Sequence, residues 1–259
     1  MLTETEIAAF VTDGFVRVDQ VFSGEIAEAG REILWRATGY DPDDRSTWVE
    51  PVVRLGDFPQ EPFRVAVNAR ALHEAFDQLI GPEQWVPRNS LGGWPIRFPS
   101  LTPSGDDGWH VDASFGDDPN DYMTWRLNLR TRGRALLMLF LFSDVDFDDA
   151  PTRIRVGSHL RLPPVLAPHG ERGLRMREML DVYAATDDLP QALATGQAGD
   201  VYLCHPFLVH AAQPNLTGRP KFMAQPPLVL REPCVLDRPD GRYTPLERAI
   251  RLGLEGSAR

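Results

Sequence analysis

From residue 84 onward, short apolar runs alternate with clusters of Gly, Pro, Asp and Asn. The runs are "LGGWPIRFP", "GWHVDASF", "TWRLNLR", "ALLMLFLFSDV", "TRIRVGSH", "DVYLCHPFLVHAA" and "KFMAQPPLVL". Short runs bounded by turn residues at this spacing describe a β-sandwich or barrel, not a series of βαβ units. The 23 prolines suit turns and strand ends better than a helical bundle. "ALLMLFLF" (135–142) is too short to span a bilayer and sits among charges, so it reads as a buried strand.

The first 83 residues have a different texture and read as a helical flank. In "LTETEIAAFVTDGF", Thr3 is a candidate N-cap with Glu6 three positions later, the spacing of a reciprocal cap. Ile7, Phe10 and Val11 then share one face, and Gly14 ends the helix. "FVRVDQVF" alternates as a strand, Ser23 opens a second helix, and "ARALHEAFDQLIG" (69–81) reads as a third. Two segments inside the β-region, "RGLRMREMLDVYAA" (172–185) and "LPQALATG" (189–196), read as a helical insertion. A last helix is expected in "TPLERAIRLGL". The expected organisation is one domain: a helical flank over 1–83, a β-core over 84–232 with an insertion at about 172–196, and a helical tail over 233–259.

Charge and cysteine content narrow the function classes. A formal net charge of −10 opposes nucleic-acid binding, which clustered Lys and Arg drive. The one basic run, "RLNLRTRGR" (126–134), interleaves Arg with Leu and reads as the solvated face of a strand. The N-terminus has no basic region before an apolar stretch, so no secretory signal is expected, and no apolar run is long enough to span a bilayer, so no membrane partner is expected. Two cysteines, Cys204 and Cys234, make no disulfide framework, and a reducing cytoplasmic setting is expected.

The chemistry is concentrated in "HVD". In an extended segment His110 and Asp112 leave the same face, with Val111 turned away. A lone pair of this kind is as readily a histidine satisfied by a nearby acid. A third ligand candidate lies in "GDVYLCHPFLVHAAQPN", where His205 and His210 have opposite strand parity. Two neutral imidazoles and one carboxylate on one face of Fe(II) leave coordination positions open, as an oxygen-activating iron requires. Zinc more often closes into a four-coordinate site.

These residues, in this order, resemble the phytanoyl-CoA dioxygenase family of Fe(II)/2-oxoglutarate-dependent oxygenases. The opening "LTETEIAAFVTDGFVRVDQVFSGEI" is similar to that family's helix-strand-helix start. "HVD" matches its His-x-Asp, "LFSDVDFDDAPTRIRVGSHL" its Asp-rich turn and Gly-Ser-His, and "GDVYLCHPFLVHAAQPN" its distal-histidine segment. The resemblance implies a mainly β, α+β fold with a double-stranded β-helix (jelly-roll, cupin-like) core. It implies iron held by His110, Asp112 and His210, with His205 and His159 structural. The implied co-substrates are 2-oxoglutarate and O2, converted to succinate and CO2 as a C–H bond of a small molecule is oxidised. Relatives that transfer halogen replace the carboxylate with a small residue, so Asp112 points to hydroxylation or another hydrogen-abstraction outcome.

The same resemblance places an Arg eleven positions after the distal His to hold the distal carboxylate of 2-oxoglutarate. Here that position is Lys221, with Arg219 at the same strand parity as the alternative. Ala212 stands where the family often has a Ser. Asn128 and Arg97 are further candidates for the co-substrate, Arg97 because a buried guanidinium needs a partner. Trp94 and Trp109 are candidates for lining the substrate pocket, with simple core packing the favoured reading of both. Two other readings stand: a jelly-roll metal-binding module without turnover, and a zinc-dependent hydrolase or isomerase on the same barrel.

Overall fold

The computed structural model describes residues 1–116, 118, 121–131 and 133–256. Among the described residues, twelve strands run in chain order: β1 Phe15–Val18, β2 Val52–Leu55, β3 Trp94–Arg97, β4 Arg126–Leu127, β5 Leu136–Leu141 and β6 Thr152–Arg155, then β7 Leu174–Arg175, β8 Gln191–Ala194, β9 Val201–Cys204, β10 His210–Ala211, β11 Met223–Ala224 and β12 Pro227–Leu228. All pairings between them are antiparallel. The larger sheet has the order β1-β9-β5-β11, with β12 also on β5; the smaller has the order β10-β6-β8. This is the jelly-roll arrangement of an α+β protein.

Strand β5 explains the unbroken apolar run. Its odd-numbered side chains, Leu137, Leu139 and Leu141, join Ile154, Ala194, Tyr202, Cys204 and Met223 in the core between the two sheets. Its even-numbered ones, Leu136, Met138 and Phe140, face a second core under the helices. A strand buried on both faces has no reason to alternate.

The helices that cover the larger sheet are α1 Glu4–Asp13, α2 Gly24–Thr38, α3 Glu61–Val67 and α4 Arg70–Ile80. The reciprocal cap is formed: Glu6 N–H donates to Thr3 Oγ1 (3.2 Å) and Thr3 N–H to Glu6 Oε2 (2.6 Å). Phe10, Leu34, Phe63, Leu72 and Phe76 are fully buried against the sheet. Helix α3 has no counterpart in the sequence reading. The expected helical insertion is corrected in two places. "LPQALATG" contains β8, because Gln191–Ala194 completes the smaller sheet against β6. Residues 172–185 form β7, a 3-10 turn at Met176–Glu178 and only then the short helix α6, Leu180–Ala184, which follows α5, Pro163–Leu166. The chain closes on α7, Pro245–Gly256. Among the described residues no helix is long and apolar enough to cross a membrane.

His159 and His205 pack against each other (ring centroids 4.9 Å) where α1, β9 and the Gly157–Arg161 turn meet. His159 Nε2–H donates to the Val11 carbonyl (3.0 Å), and burial pushes its pKa down to about 4, against the opposing pull of that bond and of Asp13. Burial and His159 push His205 down as well.

Two predictions follow from this packing. The stability contributed by neutral His159 is complete above about pH 6.5 and lost as pH falls toward about 4, because the unfolded chain takes up the proton first. That difference is worth roughly 3 kcal/mol, with His205 adding in the same direction. Denaturant titrations at several pH values should show His159→Gln with a shallower acid dependence than wild type; equal slopes contradict this origin. In α2, a Cβ on Gly30 would lie 2.6 Å from Cε1 of Phe142, whose ring is wedged among Phe22 (4.7 Å), Trp94 (5.0 Å) and Phe63 (5.6 Å). Gly30→Ala should therefore lower stability by about 1–2 kcal/mol, overpacking outweighing the helix-propensity gain of about 1 kcal/mol. A more stable variant in urea unfolding would show that this contact relaxes freely.

Candidate metal centre

Residues 110 and 210 are joined by a reciprocal main-chain bridge, each N–H donating to the other's carbonyl at 2.9 Å. Directly opposed residues of an antiparallel pair send their side chains to the same face. The two imidazoles accordingly lie with centroids 4.5 Å apart. Each ring is fixed the same way: the Nδ1–H of His110 donates to the Gly108 carbonyl (2.8 Å), that of His210 to the Leu208 carbonyl (2.9 Å). With Nδ1 carrying the proton, Nε2 presents a lone pair. Asp112 Oδ1 lies 3.9 Å from His110 Nε2, and ligand atoms of His110, Asp112 and His210 all fall within 4.8 Å of one another.

The electrostatics suit cation binding. Burial, reinforced by His110, pushes the His210 imidazolium down to a pKa of about 4, so this ring is neutral at ordinary pH, the form that ligates metals. Burial alone would raise the Asp112 carboxyl, but Arg134 and the two imidazoles hold it below the usual carboxylate range. Arg134 Nη1 stands 3.2 Å from Asp112 Oδ2. His205 is excluded from this centre, because β9 ends at Cys204 and the chain turns before β10; the two histidines never share a strand.

A cavity of about 320 Å³ is lined by His110 and His210. One wall alternates as strands do, with Lys221, Met223 and Gln225 from one segment and Pro95 and Arg97 from β3. Arg97 and Lys221 are main-chain partners (2.8 and 3.1 Å), which sets their side chains next to each other. Arg97 is tied to Asp106 (2.7 Å), which also takes Arg54. Lys221 is fully buried and donates to the Ala150 carbonyl; burial, helped by Arg97, pushes its pKa down to about 7.

Other candidates from the sequence fall elsewhere. Arg219 does not line the cavity: it is half-exposed and paired with Asp146 and Asp149. Residues 215–219 form a turn closed by the Asn215 amide on the Arg219 carbonyl (2.7 Å), so strand alternation does not reach back past Pro220. Asn128 is buried outside the cavity and donates to the Glu171 carbonyl (3.1 Å). Trp94 packs in the helix-covered core against Phe63 and Phe142, on the opposite face of β3 from Arg97. Trp109 packs against the guanidinium groups of Arg153 (4.8 Å) and Arg155 (4.1 Å), not in the cavity. The basic run is not simply a solvated face, since Arg134 turns inward to Asp112; Arg132 lies outside the described residues.

Tyr122, Asp106 and Thr152 are among the cavity residues not singled out from sequence. Tyr122 lies beside Asp112, with its hydroxyl accepting from Ala113 N–H (2.7 Å). Asp106 had no signal beyond a Gly- and Asp-rich loop. Thr152 lies on β6, and extending the β10–β6 register by one residue sets it opposite Ala212.

A family model described as phytanoyl-CoA dioxygenase (PhyH) matches residues 10–223. No match was found among curated proteins. Among solved structures, the chain is similar to SnoK, a non-heme alpha ketoglutarate dependent carbocyclase from nogalamycin biosynthesis, with a TM-score of 0.58 and 18% identity over 86% of this chain and 82% of that one. It is similar to the epimerase SnoN, solved with Fe3+, alpha ketoglutarate and nogalamycin RO (TM-score 0.57, 18% identity, 94% and 92% covered). It is also similar to HygX from Streptomyces hygroscopicus, solved with nickel and 2-oxoglutarate (TM-score 0.55, 19% identity, 87% and 86% covered). Since the family match spans most of the sequence, the chain belongs to the phytanoyl-CoA dioxygenase (PhyH) family of Fe(II)- and 2-oxoglutarate-dependent oxygenases.

Proposed function

We propose that the protein hydroxylates, or otherwise oxidises at a C–H bond, a small organic molecule, with Fe(II), 2-oxoglutarate and O2 as co-reactants. The observation that carries this reading is the pair of carbonyl-tethered imidazoles facing Asp112 beside a cavity that ends in a buried lysine. The residues fit the metal: two Nε2 lone pairs and one carboxylate oxygen make a facial triad with an open side. When bound, iron with 2-oxoglutarate supplies the oxidising power for C–H abstraction.

The chain's own residues do the rest. His110, Asp112 and His210 hold the ion, and the carbonyls of Gly108 and Leu208 keep the rings aimed. Lys221 receives the distal carboxylate of 2-oxoglutarate, with Arg97 adding charge from the next strand. The hydroxyl that Ala212 lacks comes from Thr152, directly across the sheet. Ala113 bonds only an oxygen lone pair of Tyr122, and among the described residues its O–H has no acceptor and can meet the substrate. Relatives solved with nogalamycin RO and hygromycin B support a small molecule as substrate. A buried lysine lining the cavity favours an enzyme over a binding module.

Anaerobic Fe(II)-loaded protein should develop the visible charge-transfer band of a chelated keto acid when 2-oxoglutarate is added. Its absence would remove the oxygenase reading. His110→Ala should abolish both the band and succinate formation. Lys221→Met should weaken 2-oxoglutarate binding about 30-fold or more, the loss of at least about 2 kcal/mol expected for an orphaned buried carboxylate. Thr152→Val should cost only about 1 kcal/mol, and Arg219→Ala should leave the affinity unchanged. The reverse order for Lys221 and Arg219 would relocate the co-substrate.

A further inference from the structure

We propose that Arg134 is a positioning residue that keeps Asp112 a one-oxygen ligand, so that the last coordination position beside the keto acid stays open. This rests on the iron reading above. The two oxygens of Asp112 face different groups. Oδ1 points toward His110 Nε2 (3.9 Å), on the metal side, while Oδ2 stands 3.2 Å from Arg134 Nη1.

A carboxylate can hold a cation through one oxygen or both. Three protein ligand atoms plus a chelating keto acid leave one position of six; a second oxygen from Asp112 would close it. With its charge against Oδ2, Arg134 makes the one-oxygen mode the favoured one.

The placement of Arg134 is built into the backbone. Its Nε–H donates to the carbonyl of Ala113 (3.2 Å), the residue after Asp112, so the guanidinium is keyed to the same segment it steadies. Among the described residues Nη1 has no hydrogen-bond partner, so its contact with Asp112 Oδ2 is an ion pair alone. Its main-chain N–H closes a turn onto the Thr131 carbonyl (3.0 Å). Gly133, at φ +86°, lies so close to Ser114 that a Cβ would collide with the Ser114 carbonyl oxygen. The turn is thus pressed against the Asp112–Ser114 segment, and the arginine side chain is nearly buried at 12% exposure.

The test uses nitric oxide as a probe of the open position. Wild type, Arg134→Met and Arg134→Lys are loaded anaerobically with Fe(II) and 2-oxoglutarate and titrated with nitric oxide, read by the EPR signal of the iron nitrosyl. The charge-transfer band of the wild type checks the underlying reading first; if it is missing, that reading fails whatever Arg134 does. With the band present, Arg134→Met should keep it, keep its thermal midpoint, and bind nitric oxide on the order of tenfold more weakly. Arg134→Lys should recover part of the loss. Should the Met variant not fold, Arg134→Gln, which can still bond the Ala113 carbonyl, carries the same expectation. A charge-neutral variant that binds nitric oxide as tightly as wild type overturns the proposal, and so does one that loses the band itself.

Discussion

The candidate centre depends on two main-chain hydrogen bonds between residues 110 and 210. They join a loop that follows β3 to the first strand of the smaller sheet. By making the two residues a directly opposed pair, they put both imidazoles on one face without any side-chain help. The same backbone supplies the carbonyls of Gly108 and Leu208, each two residues before its histidine, so ring orientation and tautomer are set by the main chain. Asp112 then needs only the i+2 alternation to arrive beside them.

Strand β5 is buried on both faces, with helices over one side and the smaller sheet over the other. The cavity wall inherits strand alternation, which delivers Lys221, Met223 and Gln225 together and pairs Lys221 with Arg97. The result brings Arg54, Arg97 and Lys221 to one cavity, with Asp106 pairing both arginines, in a chain whose net charge is −10. A surface average is therefore a poor guide to the polarity of the pocket; burial and pairing decide it.

Much of this was legible in the residues. Turn-bounded apolar runs gave the β-core, Thr3 and Glu6 gave the first cap, and "HVD" gave two side chains on one face. His210 over His205 came from the family pattern; parity alone left both open, and the chain turn after Cys204 is what separates them. What stayed hidden depended on non-local geometry. Arg134 sat in a run that looked solvated, and only the turn pressed against Ser114 sends it to Asp112. Thr152 and Ala212 are far apart in sequence and become neighbours through sheet register. Arg219 had the right parity but precedes the strand, inside a turn held by Asn215. "LPQALATG" has helix-forming composition, yet the smaller sheet needed a third strand, and tertiary pairing overrode propensity.

The most direct test of the account is a crystal structure of the protein grown anaerobically with Fe(II) and 2-oxoglutarate. The account predicts one iron bound by Nε2 of His110, Nε2 of His210 and Oδ1 of Asp112, with the distal carboxylate of the keto acid on Lys221. An iron ligated through Nδ1, bound away from residue 210, or accompanied by a keto acid reaching Arg219 would contradict it.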